Sequence, residues 1–229
     1  VARGEQGRPH VEGNLPLAQA INASLYYILA SIREDWPLGL SPGGLATNAY
    51  SGHSFWDCET WMYPPLLLLQ PREAKALLQY RLRRVHAARA KARRHGYAGI
   101  MFPWESAYSG EEVQGTVGTG LGPWGRLEQH ISGDIAYAIW QYWTVSGDIE
   151  WLRTELEPVL RGIAEFVASR SVLKADGDFH IDTVMPPDEY HFPVNDSIVT
   201  NAVAAFSLRA AAQAARATNR SVGRNWTAI

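Results

Sequence analysis

The spacing of hydrophobic residues along the chain predicts a mostly helical protein. Between Leu17 and Glu34, apolar residues recur every three or four positions, which is the period of an amphipathic helix. These positions are Ile21, Leu25, Ile28, Leu29 and Ile32. The pattern ends before Asp35-Trp36-Pro37, because proline disfavours helical backbone in the residue before it.

Further helices are predicted by the same period and by the residues at their ends. A long helix is expected over Arg72 to Arg94, with Pro71 as its first residue and His95-Gly96 closing it. Asp148 is a candidate N-cap. The remaining predicted helices cover Gly125 to Thr144, Ile149 to Ser169 and Ile198 to Ala217.

One segment departs from the helical pattern. Residues Val172 to Val184 read as a small β-hairpin that turns at Asp176-Gly177-Asp178, with Phe179, Ile181 and Val184 as strand residues. Strands and helices do not alternate along the chain, so a parallel sheet is not expected. The predicted class is all-α, with about six helices.

Two long loops separate these helices. One is the Gly/Pro/Ser-rich stretch from Gly39 to Gly52, and the other is the glycine-rich stretch from Gly96 to Gly125. Loops of this length inside a compact domain are usually functional.

The predicted helix from Arg72 to Arg94 is strongly basic, which allows two interpretations. It could bind nucleic acid, or it could be a solvated outer helix whose cations favour its C-terminal end. The chain as a whole carries 21 Lys and Arg against 23 Asp and Glu, a net charge of −2. That balance favours the solvated helix, and no nucleic-acid partner is expected.

Composition excludes several other functions. Charged residues make up 19% and hydrophobic residues 46% of the 229 residues, as in an ordinary globular protein of one or two domains. The single cysteine, Cys58, excludes an intrachain disulfide or a cysteine-rich metal site and fits a reducing compartment. No apolar run is long enough to span a bilayer. We therefore expect a cytoplasmic protein without a membrane partner.

Neither a metal nor a cofactor is expected. The chain has no His-Glu-x-x-His zinc motif and no phosphate-binding glycine loop of the Lys-Ser/Thr type. Cys58 is a poor nucleophile because it lies between Asp57 and Glu59, whose charges would raise the pKa of its thiol.

Candidate chemistry lies in three clusters that combine acids and aromatics. Singly, each could be a helix start, part of the core or a solvated turn. Together they suit a sugar site, because aromatic faces stack on the C–H face of a pyranose while carboxylates accept hydrogen bonds from its hydroxyl groups. Nine Trp and ten Tyr add to this indication. The clusters are Gly52 to Glu59, Phe102 to Glu112 and Met185 to Ser197.

At these clusters the sequence resembles a family of inverting α-glucoside hydrolases and phosphorylases. The family includes maltose, trehalose and kojibiose phosphorylases and acid trehalase, and the likeness is greatest to acid-trehalase-like glucosidases that act on collagen-type disaccharides. Three motifs occur in the family's order: Gly52-His53-x-Phe55-Trp56-Asp57-x-Glu59, then Trp104-Glu105-Ser106-Ala107-x-Ser109-Gly110-x-Glu112, and Pro187-Asp188-Glu189-Tyr190-His191 with Asn195.

The resemblance implies an (α/α)6 toroid, in which six inner and six outer helices surround a cleft. About half of these helices are present, so residues 1–229 are expected to be a partial catalytic domain, with 1–14 as an end and 218–229 as a tail. The resemblance makes Glu189 the general acid and Trp56 and Asp57 sugar-binding residues. Further cleft-lining candidates are Glu59, Trp104, Glu105 and His191.

The implied function is release of glucose from an α-glucoside, such as glucosylgalactosyl-hydroxylysine, by single-step inversion. The substrate is then a small-molecule or glycopeptide glucoside. Inversion needs a second carboxylate about 6.5–9.5 Å from the acid. In the family this base lies beyond the position of Ile229. Two alternatives remain open: a disaccharide phosphorylase, and a truncated product that is catalytically incomplete.

Overall fold

The computed structural model describes residues 11–36, 38–114 and 122–229, which are mainly helical. Helices lie at α1 (Leu15–Leu29), α2 (Tyr63–Leu69), α3 (Pro71–Leu82), α4 (Val85–Arg94), α5 (Trp124–Leu127), α6 (Ile131–Ser146), α7 (Ile149–Trp151), α8 (Glu157–Arg170) and α9 (Ile198–Ala217). Short π-helical turns, Cys58–Met62 and Leu152–Leu156, lead into α2 and α8, and a 3-10 turn covers Ala49–Gly52.

The centre of the molecule is formed where α8 packs against α9 and α6, while α3 packs against α2 and α6. Each of these helices contributes an apolar stripe to one continuous core. Its fully buried members include Leu78, Ile135, Ile139, Leu160, Ile163 and Leu208. Small residues on α9, among them Ala210, Ala211 and Ala214, are also buried and allow close approach of the helices.

Several predictions from the sequence are confirmed. The bounds of α9 are those predicted. Asp148 caps α7, with its carboxylate accepting the Trp151 N–H at 3.0 Å. The hairpin forms as β1 (Val172–Leu173) and β2 (Phe179–His180), antiparallel, but β2 ends before the predicted strand residues Ile181 and Val184.

Three helix bounds were predicted wrongly. The expected helix over Arg72–Arg94 is broken between α3 and α4, where the Arg84 guanidinium donates to the carbonyls of Tyr108 and Tyr80 at 2.9 and 3.3 Å. The helix expected over Gly125 to Thr144 is two helices, α5 and α6. The first helix ends at Leu29, five residues before the predicted Glu34.

The solvated interpretation of the basic helix is also wrong for part of it. Arg81 and Lys91 are each only 2% exposed, and Arg84 is buried as well. Buried cations of this kind need partners, because an unpaired charge in the interior is costly. Arg81 pairs with Glu59, and Lys91 pairs with Glu112.

The residues after α9 fold back against α8. Trp226 is buried, and the Arg161 guanidinium lies 5.3 Å from its ring centroid. Arg161 also donates to the Ser221 carbonyl at 2.8 Å, and Arg220 pairs with the buried Glu157.

Some apolar side chains face outwards. Leu15, Leu17, Tyr26 and Tyr27 of α1 are exposed, as are Ile198 and Val199 at the start of α9. None of the helices in the described ranges is both long and apolar enough to cross a membrane.

A pair of glycines tests how tightly the helices pack. Gly96 and Gly99 both have left-handed backbone, with φ of +80° and +70°. A Cβ at Gly96 would meet nothing within 4 Å, whereas one at Gly99 would lie 2.1 Å from the Gly162 carbonyl oxygen. Gly96→Ala should cost about 1–2 kcal/mol of unfolding free energy from backbone strain. Gly99→Ala should cost about 1–3 kcal/mol more because of the clash. Urea unfolding measures both, and equal losses would contradict this packing.

Candidate functional site

Glu189 lies in the loop between β2 and α9, and two contacts fix that loop. Val184 and Val194 exchange backbone hydrogen bonds of 2.9 and 3.0 Å across the loop. Met185 donates its N–H to the Leu127 carbonyl at 2.9 Å, which ties the loop to the end of α5. The Glu189 side chain then accepts the Trp124 indole N–H at 2.7 Å.

Aromatic contacts connect Glu189 to the other two clusters. The Trp124 ring lies 6.0 Å from the Trp104 ring, and Trp104 contacts Phe55 edge-on at 5.1 Å. Trp56 follows Phe55 in the chain. Its ring centroid lies 4.9 Å from that of His130 and 4.7 Å from that of Trp61. Trp124, Trp104 and Phe55 thus form a series of ring contacts that begins beside Glu189, which we call the aromatic wall.

Trp104 and Glu105 are positioned by a buried carboxylate. Glu112 accepts the backbone N–H groups of both residues, at 2.8 and 3.1 Å. Its charge is balanced by the buried Lys91 ammonium at 2.6 Å. This arrangement closes the loop after Phe102 around one ion pair.

Of the two oxygens of the Glu105 carboxyl, one has a hydrogen-bond partner among the described residues and the other has none. Its Oε1 contacts His53 Nδ1 at 2.7 Å, while its buried Oε2 has no hydrogen-bond partner among the described residues. The buried indole N–H of Trp104 is directed at the Glu128 carboxyl, on which it acts as a hydrogen-bond donor. A buried acceptor without a partner, such as Glu105 Oε2, can serve a polar ligand.

The two acids of the first cluster, Asp57 and Glu59, lie in different environments. Asp57 is half-buried, and burial raises the pKa of its carboxyl. Glu59 is fully enclosed, with both oxygens held by the Arg81 guanidinium at 2.7 and 2.9 Å. Because Arg81 uses both oxygens of Glu59, we leave Glu59 out of the proposed sugar contacts.

His191 and its neighbours lie on the surface of the acid loop. Tyr190 is 99% exposed, and His191 is exposed too. The described contact of His191 is its backbone N–H, which donates to the Asp188 carbonyl at 3.0 Å. A role of His191 in the cleft therefore stays a prediction.

Sequence reasoning missed a buried charged triad beside this wall. His130 Nε2 contacts Glu128 Oε1 at 3.0 Å, and His130 Nδ1 contacts Asp134 Oδ2 at 2.6 Å. Burial alone would lower the pKa of His130, but the two carboxylates outweigh it and raise the pKa to about 9. The His-x-x-x-Asp spacing at the start of α6 was the available signal, since such residues share one helix face.

Two further features adjoin the site. His53 lines a cleft of about 560 Å³, together with Trp36, Tyr80 and Tyr108. His53 therefore connects this cleft to Glu105. The Gly115 to Gly122 stretch, singled out in the sequence, lies outside the described residues except for Gly122.

Metal binding and thiol chemistry find little support here. Among the described residues, His180, Asp182 and Asp196 could offer ligand atoms within 4.8 Å of one another. Asp196 is already bonded to His180, and Asp182 to Lys174, so these groups are satisfied without an ion. Burial is the largest cause that raises the pKa of the Cys58 thiol, and the neighbouring acids, on which the sequence argument relied, contribute less.

The buried ion pair should dominate the stability of the site. Arg81→Ala leaves the Glu59 carboxylate buried without a partner and should cost about 3–5 kcal/mol of unfolding free energy. Arg153→Ala is the matched control, since its ion pair with Glu150 is exposed and should contribute less than about 1 kcal/mol. Denaturant unfolding of both variants measures the difference, and similar losses would show that the Glu59 pair is not structural.

The raised pKa of His130 predicts a pH dependence. A group whose pKa is higher in the folded than in the unfolded state stabilises the folded protein. For His130 this stabilisation is complete below the unfolded pKa of 6.5 and is lost as the pH rises through the folded pKa of about 9. The difference in unfolding free energy between wild type and His130→Gln should therefore shrink from pH 6.5 to 9.5. A difference that is constant over this range would contradict the triad.

Comparisons with known proteins identify relatives of this chain. The chain is 50% identical over 196 residues to protein-glucosylgalactosylhydroxylysine glucosidase of Dictyostelium discoideum, covering 83% of this chain and 27% of that protein. It is 41% identical over 220 residues to kojibiose hydrolase of Flavobacterium johnsoniae, covering 96% and 32%. The chain thus spans about 30% of the length of these relatives.

A solved structure gives the same result for the fold. A protein assigned provisionally as a kojibiose phosphorylase, from the human microbiome, matches with a TM-score of 0.79 at 26% identity, over 89% of this chain and 30% of that one. The predicted all-α class, with helices of an (α/α)6 toroid and a small hairpin, is thereby confirmed. The glycosyl hydrolase family 65 central catalytic domain matches residues 22–225. The chain belongs to glycosyl hydrolase family 65.

Proposed function

We propose that the protein releases glucose from an α-glucoside, with glucosylgalactosyl-hydroxylysine or kojibiose as the class of substrate. The observation that carries this proposal is Glu189, held by the Trp124 indole at 2.7 Å beside an aromatic wall. The relatives named for hydrolysis of such glucosides support it.

In the proposed reaction, Glu189 acts as the general acid. Its carboxyl gives a proton to the glycosidic oxygen while the bond from that oxygen to the anomeric carbon breaks. A water attacks the anomeric carbon from the opposite face, which inverts its configuration. Trp56 and Asp57, which are consecutive and both half-buried, are proposed to hold the glucose.

The aglycone sugar is proposed to lie against Trp104 and Glu105. Glu105 Oε2, which has no partner among the described residues, can accept a hydrogen bond from a sugar hydroxyl, and the Trp104 ring beside it offers an apolar face. The cleft at His53 then offers space for the peptide that carries the disaccharide in a glycopeptide substrate.

The second carboxylate, which activates the water, is proposed to come from the part of the relatives' length that this chain does not span. A catalytically incomplete product therefore remains an alternative for a protein of this length alone. We also propose a cytoplasmic location, on the ground that the single Cys58 forms no disulfide.

A phosphorylase is the other alternative, favoured by the structural match to the provisionally assigned kojibiose phosphorylase. Product analysis separates the two reactions. Hydrolysis yields glucose without added phosphate, whereas phosphorolysis yields glucose 1-phosphate and depends on phosphate.

Glu189→Gln tests the acid in the natural gene product. The amide keeps the shape of the side chain but carries no transferable acid proton, so glucose release should fall by about 10²–10⁴-fold. Substrate binding, measured by calorimetry, should be retained. The matched control is Glu155→Gln, an exposed residue, which should leave turnover unchanged. Wild-type turnover in Glu189→Gln would refute the assignment.

A further inference from the structure

Residues 50–52 form a turn in a backbone conformation that favours glycine. Tyr50 has φ of +60° and ψ of +9°, Ser51 has φ of +53° and ψ of +23°, and Gly52 has φ of +72°. In this left-handed region Cβ lies too close to a carbonyl oxygen, so residues other than glycine are strained there. Gly52 adopts the conformation without this cost, whereas Tyr50 and Ser51 do not.

The chain that follows this left-handed turn is firmly held. The Tyr50 carbonyl accepts the His53 N–H at 2.8 Å, and the His53 ring contacts Glu105 Oε1 at 2.7 Å. Ser54 and Ser106 then exchange backbone hydrogen bonds of 2.8 and 3.1 Å. Strained backbone persists where the surrounding structure fixes it in this way, and such strain is concentrated at functional sites.

The turn presents the Tyr50 ring next to the aromatic wall. The Tyr50 and Phe55 rings meet edge-on, with their centroids 5.4 Å apart. Gly43 leaves room for this arrangement, because a Cβ at Gly43 would lie 3.6 Å from Tyr50 Cδ2. Phe55 is buried, but the Tyr50 side chain is 54% exposed. The series of rings that begins beside Glu189 therefore continues to an aromatic ring that is open to a ligand.

Tyr50 lies where the aromatic wall meets the cleft. The next three residues, Ser51, Gly52 and His53, line the cleft of about 560 Å³. In the series of ring contacts, Phe55, Trp104 and Trp124 stand between Tyr50 and Glu189. This order places Tyr50 beside the part of a substrate that is remote from the bond being cleaved.

We propose that Tyr50 is a specificity-determining residue that contacts the hydroxylysine of a glucosylgalactosyl-hydroxylysine substrate. The methylene groups of that side chain pack on the exposed part of the ring, at the entrance to the cleft. This inference rests on the proposed function of the site. A disaccharide such as kojibiose has no group beyond its second sugar and does not reach the ring. A glycine at position 50 would relieve the strain but would remove this contact.

Binding of the product tests the proposal without any catalytic step. The probe is galactosyl-hydroxylysine, which remains after glucose is released, and its affinity for the natural gene product is measured by calorimetry. Tyr50→Ala should weaken binding by about 2–10-fold, the size expected for one aromatic contact. Tyr50→Phe keeps the ring and should bind as the wild type does. The control is Tyr26→Ala, an exposed tyrosine of α1, which should leave the affinity unchanged.

Steady-state kinetics separate binding from a structural role. For glucosylgalactosyl-hydroxylysine, Tyr50→Ala should raise KM by the same factor and leave kcat unchanged, because the contact is equal in the ground and transition states. For kojibiose, both constants should stay at their wild-type values. A ring with only a structural role would instead change the kinetics of both substrates together.

A second variant separates the ring from the backbone. Tyr50→Gly lacks the ring but adopts the left-handed conformation without strain, so it should unfold at a higher urea concentration than Tyr50→Ala. Both variants should bind galactosyl-hydroxylysine equally weakly. If Tyr50→Ala does not fold, Tyr50→Gly carries the binding test.

The outcomes distinguish this inference from the proposed function. Wild-type affinity for galactosyl-hydroxylysine in Tyr50→Ala or Tyr50→Gly would overturn the role of Tyr50, and so would an equal rise in KM for both substrates. Absence of product binding to the wild type would overturn it as well. Weakened product binding in Tyr50→Ala, together with full activity of Glu189→Gln, would remove the proposed acid and leave the role of Tyr50 in place.

Discussion

The bidentate ion pair between Arg81 and Glu59 fixes the site to the helical core. Arg81 also donates to the Phe55 carbonyl at 3.0 Å, so one guanidinium holds the segment that carries Trp56 and Asp57. Because both charges are buried, either one alone would be strongly unfavourable, and the two segments must therefore stay together. The aromatic wall depends on this attachment, since Phe55 contacts Trp104 in it.

Buried ion pairs hold other parts of the site as well. Lys91 and Glu112 hold the loop of Trp104 and Glu105, and His130 is held between two carboxylates. Burying such charged groups costs free energy, and each of them has an oppositely charged partner. The helices supply stability through apolar packing, whereas buried charges position the loops that would contact a sugar.

The sequence predicted the helices well where apolar spacing was clean, as in α9, and where a cap was local, as at Asp148. It failed where distant residues decided the structure. Arg81 and Lys91 read as solvated because their partners, Glu59 and Glu112, lie about 20 residues away. The motifs led to Glu189 and Trp104, but Glu128 belongs to no motif, and its burial depends on tertiary packing.

The central claim is that this site cleaves an α-glucoside with inversion, using Glu189 as the acid. Proton NMR of the first glucose formed from glucosylgalactosyl-hydroxylysine by the natural gene product tests it most directly. The account predicts β-glucose first, followed by slow equilibration to the α form. α-Glucose as the first product would mean retention of configuration and would contradict the account.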